Sequence, residues 1–89
     1  MRAVITVLGT DRVGIIAMVS TTLAEASVNI LDITQTIMQN IFTMIMVVDI
    51  AQANISFEEL GQRLNANGEA LGLQIHLQRE DIFNSMHRI

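Results

Sequence analysis

The sequence predicts an α+β domain: a four-stranded antiparallel sheet with two helices on one face and a short C-terminal helix. Three observations carry this. Short apolar runs with a period of two alternate with longer runs at helical spacing, in the order β-α-β-β-α-β. Gln39-Asn40 reads as a two-residue turn between the middle strands. The composition is 51% hydrophobic but only 3% aromatic, all Phe, so the core is aliphatic and Met-filled. A chain of 89 residues makes one domain, because two cores of ordinary size do not fit in it.

The elements follow in chain order. Ala3 to Leu8 is β-branched and apolar on both sides of its alternation, as suits a central strand buried on both faces. Gly9-Thr10-Asp11-Arg12 stops it, and Asp11 is placed to cap a helix over Val13 to Ala26. Ile16, Val19, Leu23 and Ala26 form one stripe of that helix, with Ile15, Met18 and Thr22 beside it. After the turn Ser27-Val28-Asn29, a strand runs to Gln39. Leu31, Ile33, Gln35 and Ile37 alternate there against Ile30, Asp32, Thr34, Thr36 and Met38. Phe42 to Ile50 returns as a strand, apolar on both faces and expected to be covered on both. Ser56 and Glu59 form a capping-box pair. The helix they open carries Phe57, Leu60, Leu64 and Leu71 inward and ends at Gly72. Gly68 costs that helix roughly 1 kcal/mol against Ala. Leu73, Ile75 and Leu77 alternate with Gln74, His76 and Gln78, and Asp81 to Arg88 forms the last helix, with Ile82, Phe83 and Met86 on one side. This order is the ferredoxin-like split-βαβ pattern. Its helices cover one face of the sheet. The other face, with Thr43, Ile45 and Val47 or their alternates, is covered either by the C-terminal segment or by a second copy. The hydrophobic composition favours the second copy.

Composition also excludes classes of function. The net charge is −4, and the five basic residues, Arg2, Arg12, Arg63, Arg79 and Arg88, are scattered. Phosphate repels such a surface, so no nucleic-acid partner is expected. Without Cys there is neither a disulfide framework nor a thiolate zinc site. The early apolar run breaks at Gly9 before a signal peptide forms, and the uncharged stretch Ile33 to Val48 is too polar to span a bilayer. A cytoplasmic chain with no membrane association is expected. No serine has a neighbouring catalytic motif, and Gly9-x-x-x-x-Gly14 is followed by Ile15-Ile16 rather than the Lys-Ser/Thr of a phosphate loop. His76 and His87 lack metal-ligand spacing. No enzyme activity, cofactor or metal is expected.

Three constellations remain. The turn Gly9 to Gly14 precedes a helix whose first N–H groups suit a carboxylate, with Gly14 allowing close approach and Asp11 facing an ammonium. Read structurally, Asp11 is simply the cap and the glycines serve the turn. Asn29 offers an amide donor and acceptor, or else stabilises the turn before its strand. Asp32-Ile33-Thr34-Gln35-Thr36 sets polar residues among apolar ones, which suits a pocket, an interface or a solvated strand.

Ile5 through Ser20, then Leu23-Ala24-Glu25 and Val28-Asn29-Ile30, resemble the opening of an ACT domain. Asp32 to Thr36 and Ile82-Phe83-Asn84-Ser85-Met86 resemble a narrower group of stand-alone bacterial and archaeal ACT-domain proteins of this length, related to glycine-cleavage regulators. The resemblance spans the chain. Other ACT domains are attached to enzymes, for which 89 residues leave no room. The resemblance implies a small-molecule-sensing regulatory module. It would be a homodimer with an amino acid or related metabolite at its interface, held by Asp11, Arg12, Val13, Gly14, Asn29 and Ile30. The alternative is a protein-interaction adaptor that uses the sheet face or the C-terminal helix without a small ligand.

Overall fold

The structure is a computed structural model and describes the backbone of residues 1–86 and the side chains of residues 1–84. Strand β1 is Arg2–Thr10, helix α1 Ile15–Glu25, β2 Asn29–Met38, β3 Ile41–Asp49, α2 Phe57–Ala70, β4 Leu73–Arg79 and α3 Glu80–Met86. The strands form one sheet in the order β2-β3-β1-β4, antiparallel throughout. The predicted architecture is the one observed, with β1 central. His87 and the rest of the predicted final helix, through Arg88, lie outside the described residues.

Alternation builds the core. Ala3, Ile5 and Val7 of β1 sit opposite Val48, Met46 and Met44 of β3, and all six are buried on the face toward α1 and α2. Ile15, Val19 and Leu23 of α1 and Leu60 and Leu64 of α2 close over them. Each of the larger of these side chains, Ala3 excepted, stabilises the fold by about 1.5–3 kcal/mol when removed from water. The buried Thr22 hydroxyl donates to the Met18 carbonyl at 2.9 Å and accepts from Asn67 Nδ2 at 2.8 Å, so this polar group between the helices is satisfied. Gly68 explains itself here: a Cβ would lie 2.8 Å from Cδ1 of the buried Ile75. The missing side chain lets α2 close on β4.

Several local expectations change. Helix α1 starts at Ile15, and its N-cap is Gly14 at φ 97°, with no side-chain cap. Asp11 is therefore not the cap; its N–H instead donates to the Asn40 carbonyl at 2.7 Å, holding the turn against the β2–β3 hairpin. Ile16 faces out, 40% exposed, and the buried stripe is Ile15, Val19, Thr22 and Leu23. The Ser56 hydroxyl caps α2 by accepting from Glu59 N–H at 3.0 Å. The Glu59 carboxylate accepts from Arg63 rather than reaching back, so the capping box is half formed. Phe57 at the helix edge is 37% exposed rather than inward. Gln39 and Asn40 both have positive φ, as the expected two-residue turn requires.

Strand β2 departs most from its pattern. A bulge falls between Ile30 and Asp32, with Leu31 as the extra residue. It reverses the alternation, so Ile33, Gln35 and Ile37 share the helix-side face with Ile30, opposite Met46, Met44, Phe42 and Val48. Asp32, Thr34 and Thr36 turn to the open face. Every residue of β2 from Leu31 to Met38 is exposed.

The open face is partly covered. Helix α3 packs against β1 and β4, and Val4 on that face is buried. Leu8, Ile41 and Ile45 on the same face stay exposed, so β3 is covered on one side only.

At the N-terminal end of the sheet, the Asp49 carboxylate accepts from Ala51 N–H at 2.9 Å and lies 3.4 Å from the Met1 ammonium. Its pKa falls below 3.8, first because of the Ala51 N–H and also because of the ammonium. A depressed acid stabilises the fold above its unfolded pKa and loses that contribution as pH falls through its folded pKa. Asp49→Asn is therefore expected to flatten the loss of stability below pH 3.8, read by urea unfolding across that range, and to leave the remaining acid dependence unchanged.

Candidate functional site

The fold gathers its candidate site at the start of α1. Strand β1 ends at Thr10, the turn through Asp11 to Gly14 follows, and α1 leaves over the sheet toward the first residues of β2. Because β1 and β2 each pair antiparallel to β3, they run in the same direction, and the end of β2 returns beside the start of α1. A cleft of about 240 Å³ lies between them. Asp11, Arg12, Gly14 and Ile16 form one wall, Gln35 and Ile37 of β2 the other, and the buried Phe42 lies at its floor.

The chemistry of the cleft follows from the turn. An α-helix leaves its first N–H groups without partners inside the helix, and aligned peptide dipoles add a partial positive charge there. No side chain caps α1, and its first turn holds no acidic residue. Gly14 adopts the left-handed conformation, and nothing lies within 4 Å of where its Cβ would be, so backbone is open to an approaching group. The Asp11 carboxylate and the N–H groups at the start of α1 offer complementary partners to an ammonium and a carboxylate on one small molecule.

The six residues expected from the sequence divide into three sets. Asp11, Arg12 and Gly14 line the cleft. Val13 is 96% exposed and is not among the cleft residues. Asn29 and Ile30 lie at the opposite end of β2, roughly 20 Å from Gln35 at a strand's rise of about 3.3 Å per residue. Within one copy these sets do not meet. Sequence reasoning had singled out Gln35 as part of a polar segment but had not joined it to the turn; the bulge at Leu31 sets the face on which it lies. Larger surface hollows, along the outer side of α2, between Met1 and Asp81, and between the end of β1 and Gly72, contain none of the six. Among the described residues, no three His, Cys, Asp or Glu side chains cluster to hold a metal.

A βαββαβ sheet with an uncapped helix start opening beside its edge strand defines a class of small binding domains. The chain belongs to the ACT-domain family, whose model matches residues 2–78. It is 53% identical to a UPF0237 protein of Listeria innocua over 89 residues, covering 100% of both chains. It is 54% identical over 88 residues to a UPF0237 protein of Methanocaldococcus jannaschii, covering 99% of this chain and 98% of that one. An ACT domain protein from Streptococcus pneumoniae superposes with a TM-score of 0.81 at 40% identity, covering 98% of each chain. A glycine cleavage system transcriptional repressor superposes at 0.76 and 28% identity, over 86% of this chain and 44% of its own. No described helix is long and apolar enough to cross a membrane.

Proposed function

We propose that this chain is a small-molecule-sensing regulatory module, acting as a homodimer with an amino acid or similar metabolite at the interface. The observation that carries this reading is the cleft at the uncapped start of α1, open along the exposed strand β2. The regulatory part of the reading is supported by the likeness to the glycine cleavage repressor.

Strand β2 favours pairing for a physical reason. It is ten residues long, lies at the sheet edge and carries one charge, Asp32. Proteins usually protect such an edge, because its free backbone groups template another strand. Two-fold pairing of β2 with itself is the simplest cover. An antiparallel pair centred on Ile33 brings the Asn29–Ile30 end of one copy beside the Gln35–Ile37 end of its partner. The Asn29–Ile30 end of one copy then lies beside the other copy's cleft, with Ile30 on the cleft face and Asn29 at the strand end next to it, and the two halves of the expected site come together. Asp32 faces a threonine position rather than its own symmetry mate, so no like-charge repulsion opposes this register.

Thermal unfolding against a panel of amino acids and one-carbon and purine metabolites tests the proposal. Calorimetry suits a chain with no Trp or Tyr. A ligand at about 100 times its Kd adds about 2.7 kcal/mol. Ile33→Lys places a charge on the free edge and is expected to yield a monomer, by light scattering, that no longer responds. A full ligand shift in that monomer would place the site within one copy. If no metabolite shifts the transition of the native chain, the adaptor reading gains instead, resting on the exposed Leu8, Ile41 and Ile45 of the open face.

A further inference from the structure

We infer that Gln35 reads the far end of the ligand and selects amino acids with polar side chains over aliphatic ones of similar size. This rests on the ligand site proposed above. The cleft face of β2 presents Ile33, Gln35 and Ile37, so one amide stands between two aliphatic side chains. The charged groups of the cleft, Asp11 and Arg12, come from the turn, as does the free start of α1. Gln35 is the polar group on the opposite wall. Its amide has no hydrogen-bond partner among the described residues.

The division of the cleft sets the orientation. The ammonium and carboxylate of an amino acid match the turn, and its side chain then runs across Ile16 and Ile37 toward Gln35. At about 240 Å³ the cleft is below the roughly 300–1,000 Å³ typical of drug-sized ligands, which suits an amino acid better than a nucleotide. In the free chain, water satisfies the exposed Gln35 amide. A ligand and a second copy exclude that water. An aliphatic side chain then leaves the amide unpaired, whereas an amide, hydroxyl or carboxylate replaces the lost bonds. One neutral hydrogen bond corresponds to about tenfold in affinity.

Titration calorimetry on the full chain tests this with matched pairs: asparagine against leucine, threonine against valine, and alanine as the reference. The native chain is expected to bind the polar member of each pair about tenfold more tightly. Gln35→Leu, at an exposed strand position, is expected to remove or invert that preference while leaving alanine affinity little changed. Gln35→Glu retains an acceptor and adds a charge, and is expected to weaken glutamate relative to glutamine by at least about tenfold. Circular dichroism verifies that both variants fold. The same preference in Gln35→Leu as in the native chain overturns the inference, as does alanine binding with no discrimination between pairs; the ligand site itself survives both. If no amino acid binds the native chain, the site proposal and this inference fall together.

Discussion

Asp11→Ala and Asn29→Ala are each expected to abolish the ligand response, and mixing the two proteins is expected to restore part of it. The reason is topological. Asp11 lies in the turn before α1 and Asn29 at the far end of β2, so a site that uses both draws them from different copies. In a mixed dimer, one site receives Asp11 from the Asn29→Ala copy and Asn29 from the Asp11→Ala copy, and is whole. The other site lacks both. Random exchange of equal amounts makes half the dimers mixed, so about a quarter of all sites recover under two-fold symmetry. Calorimetric titration after subunit exchange reads that fraction as stoichiometry, at native affinity. No recovery, with exchange verified by mass spectrometry, would show that the two residues do not share a site across the dimer. Both positions are exposed, so neither change is expected to unfold the chain.

Leu64→Ala is expected to cause a large loss of stability. Leu64 is fully buried on α2, one turn from Leu60, in the layer between helix and sheet. Cutting it to Ala loses transfer energy and leaves a cavity, together about 2–5 kcal/mol. A domain of this size has about 5–15 kcal/mol in all. At about 4–8 °C per kcal/mol, the midpoint falls by at least about 8 °C in scanning calorimetry. Ile16→Ala on α1 is the control. Ile16 is half exposed in the cleft wall, so its loss is expected to weaken ligand binding with little change in the midpoint. Equal midpoints for the two variants would contradict the burial pattern.

The fold was legible because its signals repeat. Alternation in β1 and β3 placed Ile5, Val7, Met44 and Met46 together, and Ser56 and Gly72 marked the ends of α2. What escaped was set by single backbone events. The bulge at Leu31 moved Ile33, Gln35 and Ile37 to the face of Ile30, and an apolar strand with isolated polar residues gives no warning of an inserted residue. Asp11 is a strong cap by residue type, yet Gly14 in the left-handed conformation starts the helix, because the chain must turn before α1 can lie over the sheet. Gly68 reads as a weakness in α2 until Ile75 is seen against it. Of the candidate site, the turn from Asp11 to Gly14 was visible in the sequence, but its residues alone read as a cap and a turn, and the ligand role came from the resemblance to ACT domains. The contribution of β2 was not visible, since it depends on a return of the chain more than twenty residues later.

The bare start of α1 has a dynamic consequence. A helix that starts at a glycine N-cap forgoes about a few tenths of a kcal/mol relative to a serine or aspartate cap, and that deficit falls on its first turn. Opening and closing of this turn are therefore more nearly balanced than they would be behind a serine or aspartate. A carboxylate that accepts from the free N–H groups serves as the missing cap and shifts that balance toward the closed helix. Under the proposed function, occupancy of the cleft is expected to add order to the first turn of α1, a change that neighbouring surfaces could sense without any change of fold.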